Sequence, residues 1–263
     1  MNPFSLIFVE VFYRPIFNML VMLLSVMSSN LWRSIIALTI IIRLVLLRTT
    51  TAGNAMQQQM TDIQPKLKEI QEKYKDNPEK LSQETMSLLK TQGAWPLKWC
   101  LGMIIQLPVF ISLLNVVQSI AKSNGVINYD DLYSFLQPLA GHVSSLQSQF
   151  LGMDLLSSTA TVWHITLVVI CAILVFMQSQ LMALNKPTLP VALPTDTPMP
   201  DMTKMMGMMN YLLPVMMASF VRSVQSGVGL YILTTTAFSV IQFGRQYRAL
   251  LQAKWIGLTH RTK

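Results

Sequence analysis

Long apolar segments alternate with polar, basic connections along this chain. Five of them have the length and apolar character of membrane-spanning helices, namely residues 31–48, 99–121, 162–184, 205–221 and 227–243. The first and the last two are short for a hydrocarbon core of about 30 Å, which predicts local thinning of the bilayer or polar lining at their ends. Because the linker between the last two is so brief, we expect these two spans to form an antiparallel pair.

The N-terminal segment, residues 1–30, has a different pattern. Glu10, Arg14 and Asn18 recur every four positions and make one polar stripe on an otherwise apolar helix. Pro15 interrupts the segment, and the apolar run after it, residues 16–24, is too short to span. This pattern predicts an amphipathic helix lying in the membrane interface, with a sixth span as the alternative.

The connection at residues 49–98 predicts a helical hairpin. Its apolar positions alternate in steps of four and three, which is a seam with heptad period: Met56, Met60, Ile63, Leu67 and Ile70. Pro65 is expected to kink the first helix or to mark its start, and Asn77 followed by Pro78 is typical of the start of a second helix. A self-contained coiled coil that only links two spans is the alternative.

Composition and charge place the chain in a membrane and orient it. Hydrophobic residues make up 52% of the chain and charged residues 12%, which is typical of an integral membrane protein. The net charge is +8, and fifteen of the twenty Lys and Arg residues lie in three connections, residues 48–98, 183–204 and 244–263. These connections are therefore expected to be cytoplasmic, with the N-terminus and the loop at residues 122–161 outside. Such a distribution indicates topology, and we expect no binding to DNA.

One apolar segment carries a charge in its middle, because Arg43 lies within the run IIALTIIIRLVLLR. Charged residues inside spans are costly and usually face a bundle interior or a water-filled cavity. The last span offers a partner surface, since its polar residues share one helix face. Seven side chains are expected to line one water-filled cleft: Thr39, Arg43, Gln106, Tyr231, Thr235, Ser239 and Gln242. Alternatively, Arg43 snorkels to the headgroups and the hydroxyls bond to their own helices.

Candidate catalytic groups are missing from the predicted spans. No span contains Asp or Glu, and neither H-E-x-x-H nor G-x-S-x-G occurs. We therefore expect no enzyme, no metal and no cofactor, and we interpret Cys100 and Cys171 as small buried hydrophobic residues. A small-solute transporter or channel would use the same polar cleft and stays as the alternative function, although the inverted repeats of broken helices typical of transporters are not visible.

Several stretches resemble the YidC-type membrane protein insertases, a family with relatives in mitochondria and chloroplasts. The most specific match covers the predicted hairpin and the second span, MQQQMTDIQPKLKEIQEKYKDNPEKLSQETMSLLKTQGAWPLKWCLGMIIQLPVF. Flanking matches follow in the family's order: YRPIFNMLVMLL, IIIRLVLLR, FLGMDLLS, KMMGMMNYLLPVMM and GLYILTTTAFSVIQ. The resemblance covers nearly the whole chain and suggests the short form of the family, which lacks a large outer domain.

The resemblance implies an all-α, five-span bundle in the bacterial inner membrane, built around a hydrophilic groove that is open to the cytoplasm and to lipid. Arg43 matches the family's groove arginine, which receives polar or acidic parts of nascent membrane proteins, and the cytoplasmic hairpin is expected to capture these clients first. The lipid bilayer is a second partner, and the ribosome and the Sec translocon are further candidates.

This sequence departs from the family pattern at four positions. Arg48 stands where a proline is frequent, and Gly227 replaces the proline before Gly229. Ile232 and Thr236 replace the usual tryptophan and asparagine of the last span.

Overall fold

A computed structural model describes residues 3–47, 63–74, 77–91, 96–141, 143, 145–159, 161–183, 202–246 and 248. The described part is predominantly helical. Its α-helices are α1 Pro3–Phe8, α2 Arg14–Val26, α3 Leu31–Val45, α4 Gln64–Lys73, α5 Pro78–Thr91, α6 Pro96–Lys122, α7 Gln137–Ala140, α8 Val162–Ala183, α9 Met202–Ser223 and α10 Ser226–Gln246. A π-helical turn, Val9–Tyr13, joins α1 to α2, and two short strands, β1 Gln149–Phe150 and β2 Met153–Asp154, form a hairpin. Two 3₁₀ turns, Tyr129–Asp131 and Ser134–Leu136, precede α7.

Helix α10 is the centre of the bundle and packs against α3, α6, α8 and α9. Half of its most apolar stretch is buried, compared with 22% for α8. Gly229 permits the close approach of α8, because a Cβ at this position would lie 2.5 Å from Cδ2 of Leu167. Cys171 is fully buried at the same contact, where its Sγ lies 3.7 Å from the carbonyl oxygen of Gly229. The side chain of Cys100 lies outside the described residues.

Three helices of the described part are long and apolar enough to cross a membrane, judged by length and composition: Leu6–Val26, Val162–Met182 and Ser226–Gln246. The first of these differs from expectation, since the backbone stays helical through Pro15. A π-helical turn directly before Arg14 accommodates the proline, which has no N–H to donate within a regular helix. Length therefore does not exclude a span here, and the interfacial placement of this segment stays a prediction.

The N-terminal helix lies along the loop between α6 and α8. Asn18 is 2% exposed and joins the two: its side-chain amide donates to the carbonyl oxygens of Arg14 and Asp131, at 2.8 and 2.9 Å, and its Oδ1 accepts from the Tyr133 N–H. The segment after α2 also meets this loop, where Gln147 N–H donates to the Ser29 carbonyl oxygen. Contacts with one loop thus extend from the middle of α2 to the segment that follows it.

This loop covers one end of the bundle, which we call the loop end. Helices α3, α8 and α10 begin there, and α6 and α9 finish there. Its contacts fix the first turn of α10, because Ser226 N–H donates to Ser157 O and Gly227 N–H donates to Leu155 O, at 2.9 and 2.8 Å. The core beneath the loop is apolar and tightly packed, with the side chains of Leu31, Ile35, Leu113, Val116, Val117, Ile120 and Leu155 almost fully buried.

Helices α4 and α5 pack against each other. Pro65 lies in the first turn of α4, which is compatible with a helix start. Asn77 caps α5, since its Oδ1 accepts from the Lys80 N–H at 3.2 Å. Ile63 and Leu67 are buried, while Met56 and Met60 lie outside the described residues. The proline-rich segment at residues 185–201 and the end of the basic tail are also outside them.

We predict that Asn18→Ala lowers the free energy of unfolding by about 2 kcal/mol, because the Tyr133 N–H and a loop carbonyl lose their buried partner. Chemical or thermal unfolding of the purified protein in detergent micelles measures the loss. Ser25→Ala is the matched control, since the Ser25 hydroxyl bonds only its own helix, at Met22 O, and is expected to change stability by less than about 0.5 kcal/mol. Equal losses in the two variants would contradict a docking role for Asn18.

Candidate functional site

One face of α10 carries a row of polar side chains inside the bundle. From the loop end inward, Tyr231, Thr235 and Ser239 are buried, Gln242 is half-buried and Gln246 is exposed. Their spacing of three or four residues keeps them on the same side of the helix, one turn apart. The polar row starts below the apolar core of the loop end and continues to the opposite end of α10.

Helix α3 meets this row through Arg43. The Arg43 Nε–H donates to the Thr235 hydroxyl at 2.5 Å, across 192 residues of sequence. Arg43 is only partly exposed, and it forms no ion pair with any Asp or Glu in the described part of the chain. This hydrogen bond holds the guanidinium against α10, so the side chain does not extend toward the end of α3. Among the described contacts, therefore, the charge has a hydroxyl partner but no counter-ion.

Helix α6 meets the same row one turn nearer the loop end. The Gln106 amide donates to the Tyr231 hydroxyl at 2.8 Å, and Tyr231 lies one turn from Thr235 on the same face of α10. Arg43, Thr235, Tyr231 and Gln106 thus form one connected polar network across three helices. Such interhelical bonds satisfy polar groups that would otherwise lie unpaired in an apolar bundle.

An aromatic cluster lies beside this network. Phe110 is one turn from Gln106 on α6, and its ring centroid lies 6.1 Å from that of Tyr231 and 5.7 Å from that of Phe220 on α9. Sequence reasoning did not single out Phe110 or Phe220. The spacing from Gln106 to Phe110 is the signal that would have indicated Phe110, since residues four apart share a helix face.

Two of the predicted hydroxyls bond to their own helices. Thr39 is 1% exposed and donates to Ile35 O at 2.6 Å, and Ser239 donates to Thr235 O at 3.0 Å. This is the alternative that the sequence left open for single hydroxyls. Both side chains still lie on the polar side of the bundle, but neither joins two helices in the described contacts. Gln242 also has an interaction partner.

The helices that carry Arg43 and Gln106 both pack on α10, and neither packs extensively on the other in the described structure. Helix α10 therefore connects the two helices, and its contacts with them are polar at the level of Tyr231 and Thr235. Such an arrangement suits a hydrophilic groove, and the role of the seven residues as a substrate groove stays a prediction.

The chemistry available at this site is charge and hydrogen bonding. A guanidinium has five N–H donors, and only Nε–H is bound to a described residue. The remaining N–H groups can donate two parallel hydrogen bonds to a carboxylate, and such a pair is strong where water is scarce. Within the described ranges, no group of three or more His, Cys, Asp or Glu side chains is placed to hold a metal ion.

Three of the four departures from the family pattern lie among the described residues. Gly227 N–H donates to Leu155 O at 2.8 Å, a bond that proline cannot make, and a Cβ at Gly227 would lie 3.0 Å from that oxygen. Ile232 and Thr236 are buried at 3% and 5% exposure, so both pack within the bundle. Arg48 lies outside the described residues.

His164 is a fully buried polar residue near the start of α8. Its Nδ1 lies 2.8 Å from the Ser226 hydroxyl, which in turn bonds Ser157 O. Because the Ser226 proton is used for Ser157, Nδ1 carries the proton toward Ser226. This contact helps to fix the loop end of α10 to α8 and to the loop.

The predicted client-capture stripe is partly internal. Ile63 and Leu67 are buried and Ile70 is half-buried in α4, whereas Met86 of α5 is 46% exposed. Ile63 and Leu67 are therefore not available on the surface of this arrangement. A role in capture stays a prediction for Met56, Met60, Ile63, Leu67 and Ile70.

Comparison with known proteins gives one consistent family. The family model described as "60Kd inner membrane protein" matches residues 22–250. A membrane protein insertase YidC from Prosthecochloris aestuarii is 30% identical over 246 residues, covering 89% of this chain and 35% of that protein. Proteins of the same name from Cupriavidus necator and Helicobacter pylori are 38% and 31% identical over 43% and 58% of this chain, and over 20% and 26% of their own lengths. The chain thus spans about a third or less of these relatives.

A double-mutant cycle on Gln106→Leu and Tyr231→Phe tests whether the hydrogen bond between α6 and α10 stabilises the fold. We predict a coupling of about 1 kcal/mol, measured by unfolding in micelles, because interhelical hydrogen bonds in membranes have this order of magnitude.

The control cycle pairs Tyr231→Phe with Ser239→Ala, since the Ser239 hydroxyl bonds the backbone of its own helix. Its coupling should stay within about 0.3 kcal/mol. Coupling no larger in the first cycle than in the control would show that the contact contributes nothing to the packing of α6 on α10.

Proposed function

Because the chain belongs to the 60Kd inner membrane protein family, we propose that it is a membrane protein insertase and chaperone, which takes nascent hydrophobic segments from the cytoplasm and releases them into the bilayer. One observation carries the proposal: Arg43 has a hydroxyl partner on α10 and no counter-ion among the described residues. A guanidinium without a counter-ion can pair with an acidic group of a client. The matched relatives are named insertases, which does not favour a small-solute transporter or channel.

We propose a five-span bundle in the bacterial inner membrane, with spans at residues 31–48, 99–121, 162–184, 205–221 and 227–243. The loop end faces outward and the C-terminus is cytoplasmic, because Lys and Arg are concentrated in the connections at the other end. The N-terminal helix lies in the outer interface as a sixth, non-spanning element. Its contacts with one loop from Asn18 to Ser29 support this placement.

We propose that α3, α6 and α10 line a groove that shortens the hydrophobic barrier for a client. A hydrophilic client segment loses hydration free energy when it enters hydrocarbon. The polar row of α10 would receive such a segment partway across the membrane, while the apolar core at the loop end keeps the outer side closed. The client's apolar segment then moves sideways into lipid, and its transfer from water drives the reaction without nucleotide.

The cytoplasmic hairpin formed by α4 and α5 is proposed to make the first contact with clients. An exposed methionine such as Met86 can adapt to many apolar partners, because its side chain is flexible and polarizable. Nascent membrane proteins and the lipid bilayer are the main partners. The ribosome and the Sec translocon are further proposed partners, for which the basic tail offers charges that bind RNA or anionic lipid.

Arg43→Ala is expected to lower insertion of clients with acidic outer tails about tenfold, the effect of losing one charge-assisted hydrogen bond of ~1.4 kcal/mol. Insertion into proteoliposomes, scored by protease protection of the client's tail, measures the effect for acidic and neutral tails. Clients with neutral tails should lose much less.

Arg33→Ala serves as the matched control, because Arg33 lies on the same helix but is exposed and stacks over Trp32. It should insert both classes of client normally. If Arg43→Ala inserted acidic and neutral tails equally well, the charge-partner role of Arg43 would have to be abandoned.

Replacing residues 55–92 with a flexible Gly/Ser linker should lower crosslinking between the protein and ribosome-bound nascent chains several-fold. The reason is that the linker removes the exposed apolar side chains of the hairpin but leaves the groove network in place. The abundance of the variant in membranes is the control. Undiminished crosslinking at normal abundance would show that capture does not need the hairpin.

A further inference from the structure

The hairpin β1–β2 has an unusual turn. Gln149 pairs with Asp154 and Phe150 with Met153, so that Leu151 and Gly152 alone form the turn. Both have positive φ, 49° and 80°, which is the pattern of a type I′ turn. The first position of such a turn favours Asn or Asp, because a branched apolar side chain is strained there. The conformation of the turn therefore does not explain why leucine occupies this position.

The side chain of Leu151 is also 60% exposed. The residues that follow the turn hold the hairpin in place, since Met153 and Leu155 are buried in the core at 3% and 0% exposure. No charge lies at the tip. The nearest one along the chain is Asp154, whose Oδ1 accepts from the Leu156 N–H at 3.1 Å.

Two tryptophans place this tip relative to the bundle. A Cβ at Gly152 would lie 3.1 Å from Cδ1 of Trp163, so the turn packs directly against that indole. Phe150, the residue before the turn, contacts Trp32, with ring centroids 5.1 Å apart. Trp163 is the second residue of α8, and Trp32 is the second residue of α3.

The start of α8 fixes the level of the turn in the membrane. The stretch Val162–Met182 is apolar and long enough to span, and its first two side chains are exposed, Val162 by 76% and Trp163 by 49%. Tryptophans at the ends of spans lie at the headgroup level of the bilayer. The turn that packs on Trp163 must lie at that level too, and its exposed leucine is then beside lipid.

We propose that the Leu151–Gly152 turn is a membrane anchor of the loop, which inserts Leu151 into the boundary between headgroups and acyl chains beside Trp163. The occupant of this surface is lipid, because the tip is apolar, uncharged and adjacent to the first turn of a span. The anchor would hold the loop, and through Leu155 and Gly227 the first turn of α10, at a fixed depth. This inference requires only that α8 spans the membrane and is independent of the insertase proposal.

The first experiment measures depth directly. In the full chain carrying Cys100→Ala and Cys171→Ala, Leu151→Cys is labelled with an environment-sensitive fluorophore and reconstituted in phosphatidylcholine–phosphatidylglycerol vesicles. Lipids with a nitroxide near the carbonyl end of the acyl chain should quench this label at least about threefold more than a label at Ser145→Cys, an exposed position of the same loop. Equal quenching at the two positions would overturn the proposal.

The second experiment excludes an effect of the label itself. The fluorophore is moved to Gln149→Cys, and quenching is compared with and without Leu151→Asn, a residue that the turn tolerates well. The anchor predicts that Leu151→Asn reduces quenching by about half while thermal stability is kept or raised. Unchanged quenching would overturn the proposal, as would disulfide-linked dimers through Leu151→Cys without quenching, which would assign the tip to a second copy of the chain.

Discussion

The structure depends on how a guanidinium is accommodated within an apolar helix. Arg43 lies in a helix whose other side chains are mostly aliphatic, and a charge in that setting is stable only where polar groups or water can reach it. Thr235 on α10 provides the contact. Because that hydroxyl is fixed by the register of α10, every interaction that holds α10 also determines the environment of the charge. The polar network and the bundle packing are therefore parts of one arrangement.

Helix α10 contributes both to the bundle packing and to the polar network, because its faces differ. One side approaches α8 closely at Gly229, and its first turn is bonded to the loop through Ser226 and Gly227. The other side presents Tyr231, Thr235 and Ser239 toward α3 and α6. The transition from apolar core to polar row occurs near Tyr231, where Phe110 and Phe220 lie alongside. This level therefore separates the apolar core of the loop end from the polar row of α10.

The sequence predicted the features that depend on local periodicity. The helical character of the chain, the shared face of Tyr231, Thr235 and Ser239, and the cap at Asn77 all follow from spacing within a few residues. The sequence did not predict the contacts that join the N-terminal helix, the loop and the start of α3. Asn18 bonds a loop residue 115 positions away, and Phe150 packs on Trp32, and neither contact has a local signature. For hydroxyls such as Thr39, periodicity predicted the helix face correctly but could not decide between an interhelical bond and a bond to the helix's own backbone.

The most direct test of the account is site-specific photo-crosslinking to a stalled nascent membrane protein in intact ribosome–membrane complexes. A photoreactive residue at position 106, in the network, is compared with one at position 169 on α8, where Val169 is 51% exposed away from α10. The account predicts a strong crosslink from position 106 that moves along the client as its chain is lengthened, and little or none from position 169. Crosslinks of equal yield from both positions, or none from position 106, would contradict a client path along the polar face of α10.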